Sequence, residues 1–406
     1  MKTLLKISWR NIWRNRTRTI VISAALVLGL MGGIFSAAIR LAAEEQQFEE
    51  TVENMISHIQ IHHPEFIANP EARYRIPDGE TMAEEIAQKP GIKVVASRIV
   101  FDGMAASANM NTGVRIKGTD PELEAKTTKL DELLEEGTYF TEDWRLPSVI
   151  VGERLAKELN VEPGSRIVLT FQDIHGEMVS ASFRIEGLYS VTSSRFEERT
   201  VYAKAKEINA LIGDPAAITE MALMLEDVDD YRQVARELQE AYPEVEVRHW
   251  ADLEPSLFYA LEVLDQVLIW LVGVIILGVS FGLLNTILMS ILERVRELGI
   301  LLAIGMKRIK VFSMIVLETT MIAVIGGVIG LILSYIMISI LSVRGVYIPG
   351  GEGMEDFGYA SVLYPDIHLG FYFQIGILVI VFAILASIYP AWKAIRLAPA
   401  EAVRQE

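Results

Sequence analysis

Four long apolar blocks, Thr19 to Ile39, Val267 to Leu292, Val311 to Val343 and Ile367 to Trp392, limit what this chain can become. Three of them contain no Asp, Glu, Lys or Arg, and the block from Val311 carries only Glu318. Each exceeds the roughly 20 residues needed to cross about 30 Å of hydrocarbon, so each is expected to form a transmembrane helix. At about 1.5 Å per residue the stretch from Val267 already reaches about 39 Å, which requires tilt or protrusion.

Charge then orients these spans. Residues Glu44 to Glu262 hold 43 acidic against 21 basic side chains, a net of -22 that exceeds the -16 of the whole 406-residue chain. The remainder is therefore basic: six Lys/Arg in Met1 to Arg18, five in Glu293 to Lys310 and three in Ala391 to Glu406, with Arg344 alone in the loop before the last block. The positive-inside rule places both termini and the middle short loop in the cytoplasm and the acidic segment outside. A cleaved signal peptide would also begin with basic residues and an apolar run. The apolar run is longer than a usual signal core, and helical sequence continues through LAAEEQQFEETVENM, which reads as a stalk leaving the bilayer. The chain has no cysteine, which removes disulfides, zinc thiolates and thiol nucleophiles. Its acidic external part offers no basic track for nucleic acid.

The expected fold is an α-helical membrane protein with four transmembrane helices and a large extracytoplasmic α+β domain inserted between the first and second. Residues 1–18 read as a cytoplasmic amphipathic helix with Trp9 and Trp13 as interfacial anchors. Spans are expected at 19–43, 263–292, 311–343 and 367–392. The external domain with its stalks covers 44–262, the cytoplasmic connecting helix 293–310, an outer loop 344–366 and the tail 393–406. Within the external domain SHIQIHH, KVVASRIVF, MALMLED and VEVRHW alternate like strands, while ETMAEEIAQK, GERLAKELN and DDYRQVARELQEA read as helices. SRIVLTF and MVSASFRIEGLY around DIHGE read as a hairpin. Two lobes are expected, divided between Gly118 and Pro147.

No phosphate-cradling G-x-x-x-x-G-K-[ST], H-E-x-x-H, G-x-S-x-G or EF-hand string occurs, so any ATP must be hydrolysed by another chain. His58 and His62 would share a strand face near Glu65, yet two imidazoles without a confirmed carboxylate read more simply as polar strand residues than as metal ligands. Glu318 raises the question of a proton relay or substrate contact. Its place early in the third span favours snorkelling or helix pairing, as Asn285 and Gln374 favour interhelical hydrogen bonds. Gly29 and Gly33, Gly278 and Gly282, and Gly326 and Gly330 stand at four-residue spacing, which permits close helix packing. Between the second and third spans, ILERVRELGILLAIGMKRIKVF contains a short apolar helix flanked by Gly299 and Gly305. Such a helix suits docking into a partner's groove, whereas a plain membrane hairpin would close in fewer residues.

RVRELGILLAIGM resembles the signature between the second and third spans of the FtsX and MacB permease superfamily, and IYPAWKAIRLAPAEAVR and RNIWRNRTRT resemble its closing and opening segments. VRIKGTDPE, IVGERLAKELNVEPGSRIVL and FRIEGLYS are similar to the lipoprotein-releasing LolC and LolE type. The resemblance implies a MacB-like periplasmic core and a non-catalytic bacterial inner-membrane permease. Such a permease pairs with a second permease subunit as a homodimer or heterodimer and is served by two ABC ATPase subunits that bind the ATP and Mg. It implies that Arg294, Arg296, Glu297, Leu298, Gly299, Ile300, Ala303, Ile304, Gly305 and Met306 belong to a coupling helix on the ATPase. The implied substrate is a lipoprotein or lipid, passed to a periplasmic carrier or adaptor. A MacB-like efflux permease and an FtsX-like mechanotransmitter are alternatives, and a membrane-anchored receptor or scaffold is the alternative outside transport. No cofactor, metal or catalytic residue is expected in the chain itself.

Overall fold

The computed structural model describes residues 2–14, 16–140, 146–348 and 361–395. The outer loop, apart from its two ends, and most of the basic tail lie outside the described residues. So do several side chains of the second span, Gly282 and Asn285 among them.

The chain opens with helices α1 (Lys2–Arg14) and α2 (Arg16–Phe48), the latter passing directly into a π-helical segment at Glu49–Ile56. Ten strands and seven short helices follow. Strand β1 (Ile59–His62) leads through α3 (Gly79–Ala87) to β2 (Ile92–Ala106) and β3 (Asn111–Thr119). Next come α4 (Pro121–Thr128), β4 (Leu134–Gly137), β5 (Ser148–Gly152), α5 (Glu153–Leu159), β6 (Arg166–Gln172) and β7 (Met178–Tyr189). The domain ends with α6 (Ser194–Arg199), β8 (Thr200–Lys204), α7 (Ala205–Ile212), β9 (Glu220–Leu225), α8 (Tyr231–Ala241), β10 (Glu246–His249) and α9 (Trp250–Leu253). Helices α10 (Pro255–Glu293), α11 (Val295–Ala303), α12 (Arg308–Arg344) and α13 (Leu369–Ile395) follow, with two-residue strands at Val346–Tyr347 and Val362–Leu363 between the last two. The chain divides into two compact units, one of residues 1–42, 261–346 and 362–406, the other of 43–260 and 347–361.

In the second unit the strand and helix readings hold, including the hairpin, which is the antiparallel pair β6 and β7. The division into lobes does not fall between Gly118 and Pro147. Strands in the order β10-β1-β9-β2, all antiparallel, with α3 and α8 as connections, make a split β-α-β-β-α-β lobe. Its core holds Ile59, Ile61, Ile86, Leu223 and Leu238. Everything between β2 and β9 is inserted into that lobe. There the pairings close into a ring, β2-β3-β8-β5-β7-β6 and back to β2. This second core holds Phe101, Ile116, Val151, Phe171, Phe183 and Val201. The change of core comes within β2, near Arg98, and again between Ala217 and Ile218. A linear reading misses it because the first lobe is completed only after the insertion returns.

Arg98 marks the junction. Its guanidinium is fully buried, forks onto Glu124 of α4 at 2.8 and 2.7 Å, and reaches Glu220 of β9 at 2.7 Å. The hydroxyls of Thr119 and Thr128 donate to the same Glu124 carboxylate at 2.7 and 2.9 Å. Desolvation opposes both carboxylates, yet the paired Arg98 wins, holding Glu124 below its ordinary range and Glu220 at about 2.

In the first unit α1, α2, α10, α11, α12 and α13 share an apolar core that includes Ile12, Ile22, Ile291, Leu298, Val311, Met314 and Ala391. Among the described residues three helical stretches are long and apolar enough to cross a membrane: Thr19–Ile56, Arg308–Arg344 and Leu369–Ile395. The second expected span lies in α10, whose backbone is helical throughout.

Candidate coupling site in the membrane unit

The segment 293–310 is not one helix. Helix α10 stops at Glu293, and Arg294 leaves helical geometry with φ -114° and ψ 12°. Helix α11 then runs nine residues to Ala303. It closes in a Schellman motif: Gly305 N–H donates to Leu302 O at 3.1 Å and Met306 N–H to Leu301 O at 3.0 Å. Gly305 has φ +96°, a conformation that a side chain resists, which accounts for glycine at that place. Gly299, expected as a flank, lies inside α11 and is buried. Helix α12 starts at Arg308, three residues before its apolar block.

Helix α11 has two faces. Val295, Leu298 and Gly299 are buried, and Leu301, Leu302 and Met306 pack against the same core. Arg296, Ile300, Ala303 and Ile304 point outward, Ile304 being 80% exposed. Glu297 is exposed beside Arg296, so the outward face is a short apolar strip, Ile300, Ala303 and Ile304, that follows two charged residues.

Charge adds to this packing, through exposed pairs on Glu297 and a half-buried one on Glu318. Arg14 of α1 donates twice to Glu297, at 2.9 and 2.7 Å. Arg294 donates to Glu297 at 3.1 Å and, on its other side, to Glu318 of α12 at 3.2 Å. The hydrogen bonds from Arg14 and then Arg294 hold the Glu297 carboxyl below its ordinary range. Helix α1 is further tied down by Ser8 Oγ donating to Met314 O at 3.2 Å. Glu318 thus pairs α12 with the joint between α10 and α11.

The packing glycines separate. A Cβ on Gly326 would come within 2.9 Å of Leu26, and one on Gly330 within 2.9 Å of Leu30, so both sit where α12 touches α2. Gly29 and Gly33 are half-buried. Gly278 meets nothing within 4 Å, and the surroundings of Gly282 lie outside the described residues. Gly376 of α13 comes close to Leu331, a contact that no glycine spacing advertised.

In the second unit, both ring nitrogens of His62 have partners, Thr219 O and the Gln60 side chain, and His58 Nδ1 accepts from Leu225 N–H. Among the described residues no group of three or more His, Cys, Asp or Glu is arranged to hold a metal. A cleft of about 1030 Å³ is lined by Met55, His62, Lys117, Arg195, Phe196 and Arg199, together with neighbouring side chains. None of these was singled out for a site in the sequence except His62.

Residues 19–241 match the MacB-like periplasmic core domain, and residues 269–399 match the FtsX-like permease C-terminal family. The chain is 21% identical to the lipoprotein-releasing system transmembrane protein LolE of Haemophilus influenzae, over 99% of both chains. It is 24% identical to the lipoprotein-releasing system transmembrane protein LolC of Xylella fastidiosa, over 72% of this chain and 73% of that one. The uncharacterized ABC transporter permease YknZ of Bacillus subtilis is 20% identical over 99% and 98% of the two chains. The two family matches together run through the external domain and the membrane helices, and the chain is a member of the FtsX/MacB superfamily of ABC transporter permeases.

Proposed function

We propose that this chain is the non-catalytic permease subunit of an ABC transporter that extracts lipoproteins from the bacterial inner membrane. In this reading α2, α10, α12 and α13 are its four spans, both termini are cytoplasmic and the 43–260 unit stands in the periplasm. ATP and Mg are bound by two separate ATPase subunits, and a second permease subunit completes the assembly.

The observation that carries the proposal is the two-faced α11. An apolar strip of Ile300, Ala303 and Ile304 left open to solvent on a helix otherwise anchored by core packing and ion pairs suits insertion into a groove of another protein. The cargo reading draws on the full-length similarity to LolE and the shorter one to LolC. It is also energetically coherent. Exposing acyl chains to water costs about 0.8 kcal/mol per methylene, so a multiply acylated lipid needs on the order of tens of kcal/mol and hence an energy source.

A gentle-detergent pulldown of the chain from its native membrane, with mass spectrometry of proteins and acylated species, tests both parts. An ATP-binding subunit with bound lipoprotein is the expected outcome. An ATPase accompanied by an efflux adaptor or a wall hydrolase would replace the cargo assignment, and recovery of no ATPase would defeat the permease mechanism.

A further inference from the structure

Docking uses the exposed strip of α11; the half-buried pair of Arg294 with Glu318 is set back from that strip and must serve something else. Glu318 lies about 15 Å into α12 at 1.5 Å per residue, in a block otherwise free of Asp, Glu, Lys and Arg. A carboxylate at such a place is costly unless paired, and its pairing usually marks a mechanism. Its partner Arg294 is the residue at which the chain leaves α10 and enters α11. The backbone of Arg294 therefore belongs to the joint, while its side chain reaches Glu297 in α11 at 3.1 Å and Glu318 in α12 at 3.2 Å.

The joint is also loosely filled. A cavity of about 30 Å³ is bounded there by Ile22, Ile291, Leu298 and Met314, with Arg294, Glu318 and Thr319 as its polar wall. That exceeds the roughly 10–15 Å³ a single water requires, so a water-sized space adjoins the ion pair.

We infer that Arg294 and Glu318 form a latch that makes α11 move with α12 while the joint to α10 stays free to bend. The apolar core face of α11 and the Arg14–Glu297 pair also position it, the latter by charge to α1. The latch rests on the docking reading for its purpose, since it would carry a displacement of α11 into a span. Both residues are positioning residues.

The native chain has no cysteine, so introduced pairs report without background. Spin labels at Ile304→Cys and Val328→Cys measure α11 against α12, and labels at Met289→Cys and Val328→Cys measure α10 against α12. Ile304, Val328 and Met289 are all exposed. In the full chain in nanodiscs the first distance is expected to be narrow. Glu318→Gln and Arg294→Gln should each roughly double its width, because a released helix end samples ångström-scale shifts, and leave the second distance unchanged. An unchanged first distance overturns the latch. Equal broadening of both distances overturns it too, since that would mark the pair as general stabilisation. A native chain that retains no ATPase on purification defeats the docking reading instead, and the two distances still decide the latch.

Discussion

Lys117 Nζ donates to the carbonyl oxygen of Met55 over 3.1 Å, tying β3 to the last turn of the π-helical segment. Its ammonium also stands 5.0 Å from the ring centre of Phe196 and 5.7 Å from that of Tyr202. Burial, then the positive Arg98 nearby, push this lysine down to about 8. A proton on Lys117 is thus held less firmly by the folded protein than by the unfolded chain. Between about pH 8 and the ordinary lysine value of 10.5, the unfolded state binds more protons, so the contribution of this group to stability rises with pH. The slope approaches about 1.4 kcal/mol per pH unit. Chemical unfolding of the periplasmic unit within the full chain, followed at several pH values from about 8 to 10, should show the rise, and Lys117→Met should flatten it. An identical slope in both proteins would reject the assignment.

Arg98 gives a second expectation. Arg98→Ala would leave Glu124 and Glu220 buried without a counter-charge, and breaking such a pair typically destabilises by about 3–5 kcal/mol. For a unit of this size that corresponds to roughly a 10 °C fall in melting temperature. Arg115→Ala, which removes an exposed pair with Asp102, is expected to change it by well under about 1 kcal/mol. Comparable losses in the two variants would contradict the role given to burial.

Among the glycines, Gly326→Leu and Gly330→Leu should force α12 away from α2, and overpacking of this kind costs about 1–3 kcal/mol or more. Gly278→Ala, with nothing within 4 Å, should be neutral. Thermal aggregation of the detergent-solubilised chain distinguishes these cases, and sensitivity of Gly278 would point to a partner covering that face.

On α11, Ile304→Asp should abolish co-purification of the ATPase while leaving the melting temperature unchanged, because Ile304 is 80% exposed. Leu298→Asp, at 4% exposure, should lower both, as an uncompensated buried charge does. If Ile304→Asp keeps the ATPase, the outward face is not the docking face.

Local signals carried much of the fold. Alternation in SRIVLTF and MVSASFRIEGLY sufficed for the β6–β7 hairpin, and long apolar runs, broken in α12 only by Glu318, sufficed for α12 and α13. Long-range relations were not legible. Arg98 sits in KVVASRIVF as an ordinary polar member of an alternating strand, and its two carboxylates are 26 and 122 residues away. Arg14 and Glu297 are 283 residues apart, and no periodicity links them. The early position of Glu318 in its span favoured snorkelling or helix pairing but gave no partner, because Arg294 becomes a neighbour only once α11 folds back. Gly299 read as a flank since glycine often ends helices, whereas here burial of the helix face decides its place.

Strand β2 serves both cores of the periplasmic unit: it pairs with β9 over Ile92–Arg98 and with β3 over Arg98–Ala106. Fifteen residues at about 3.3 Å each make a continuous girder of about 50 Å. A load applied where the first lobe begins need not cross a flexible linker to reach the far end of the inserted ring. The two lobes should accordingly melt in a single transition and tilt as one plank, so that a small angular change at one end is delivered as a large sweep at the other.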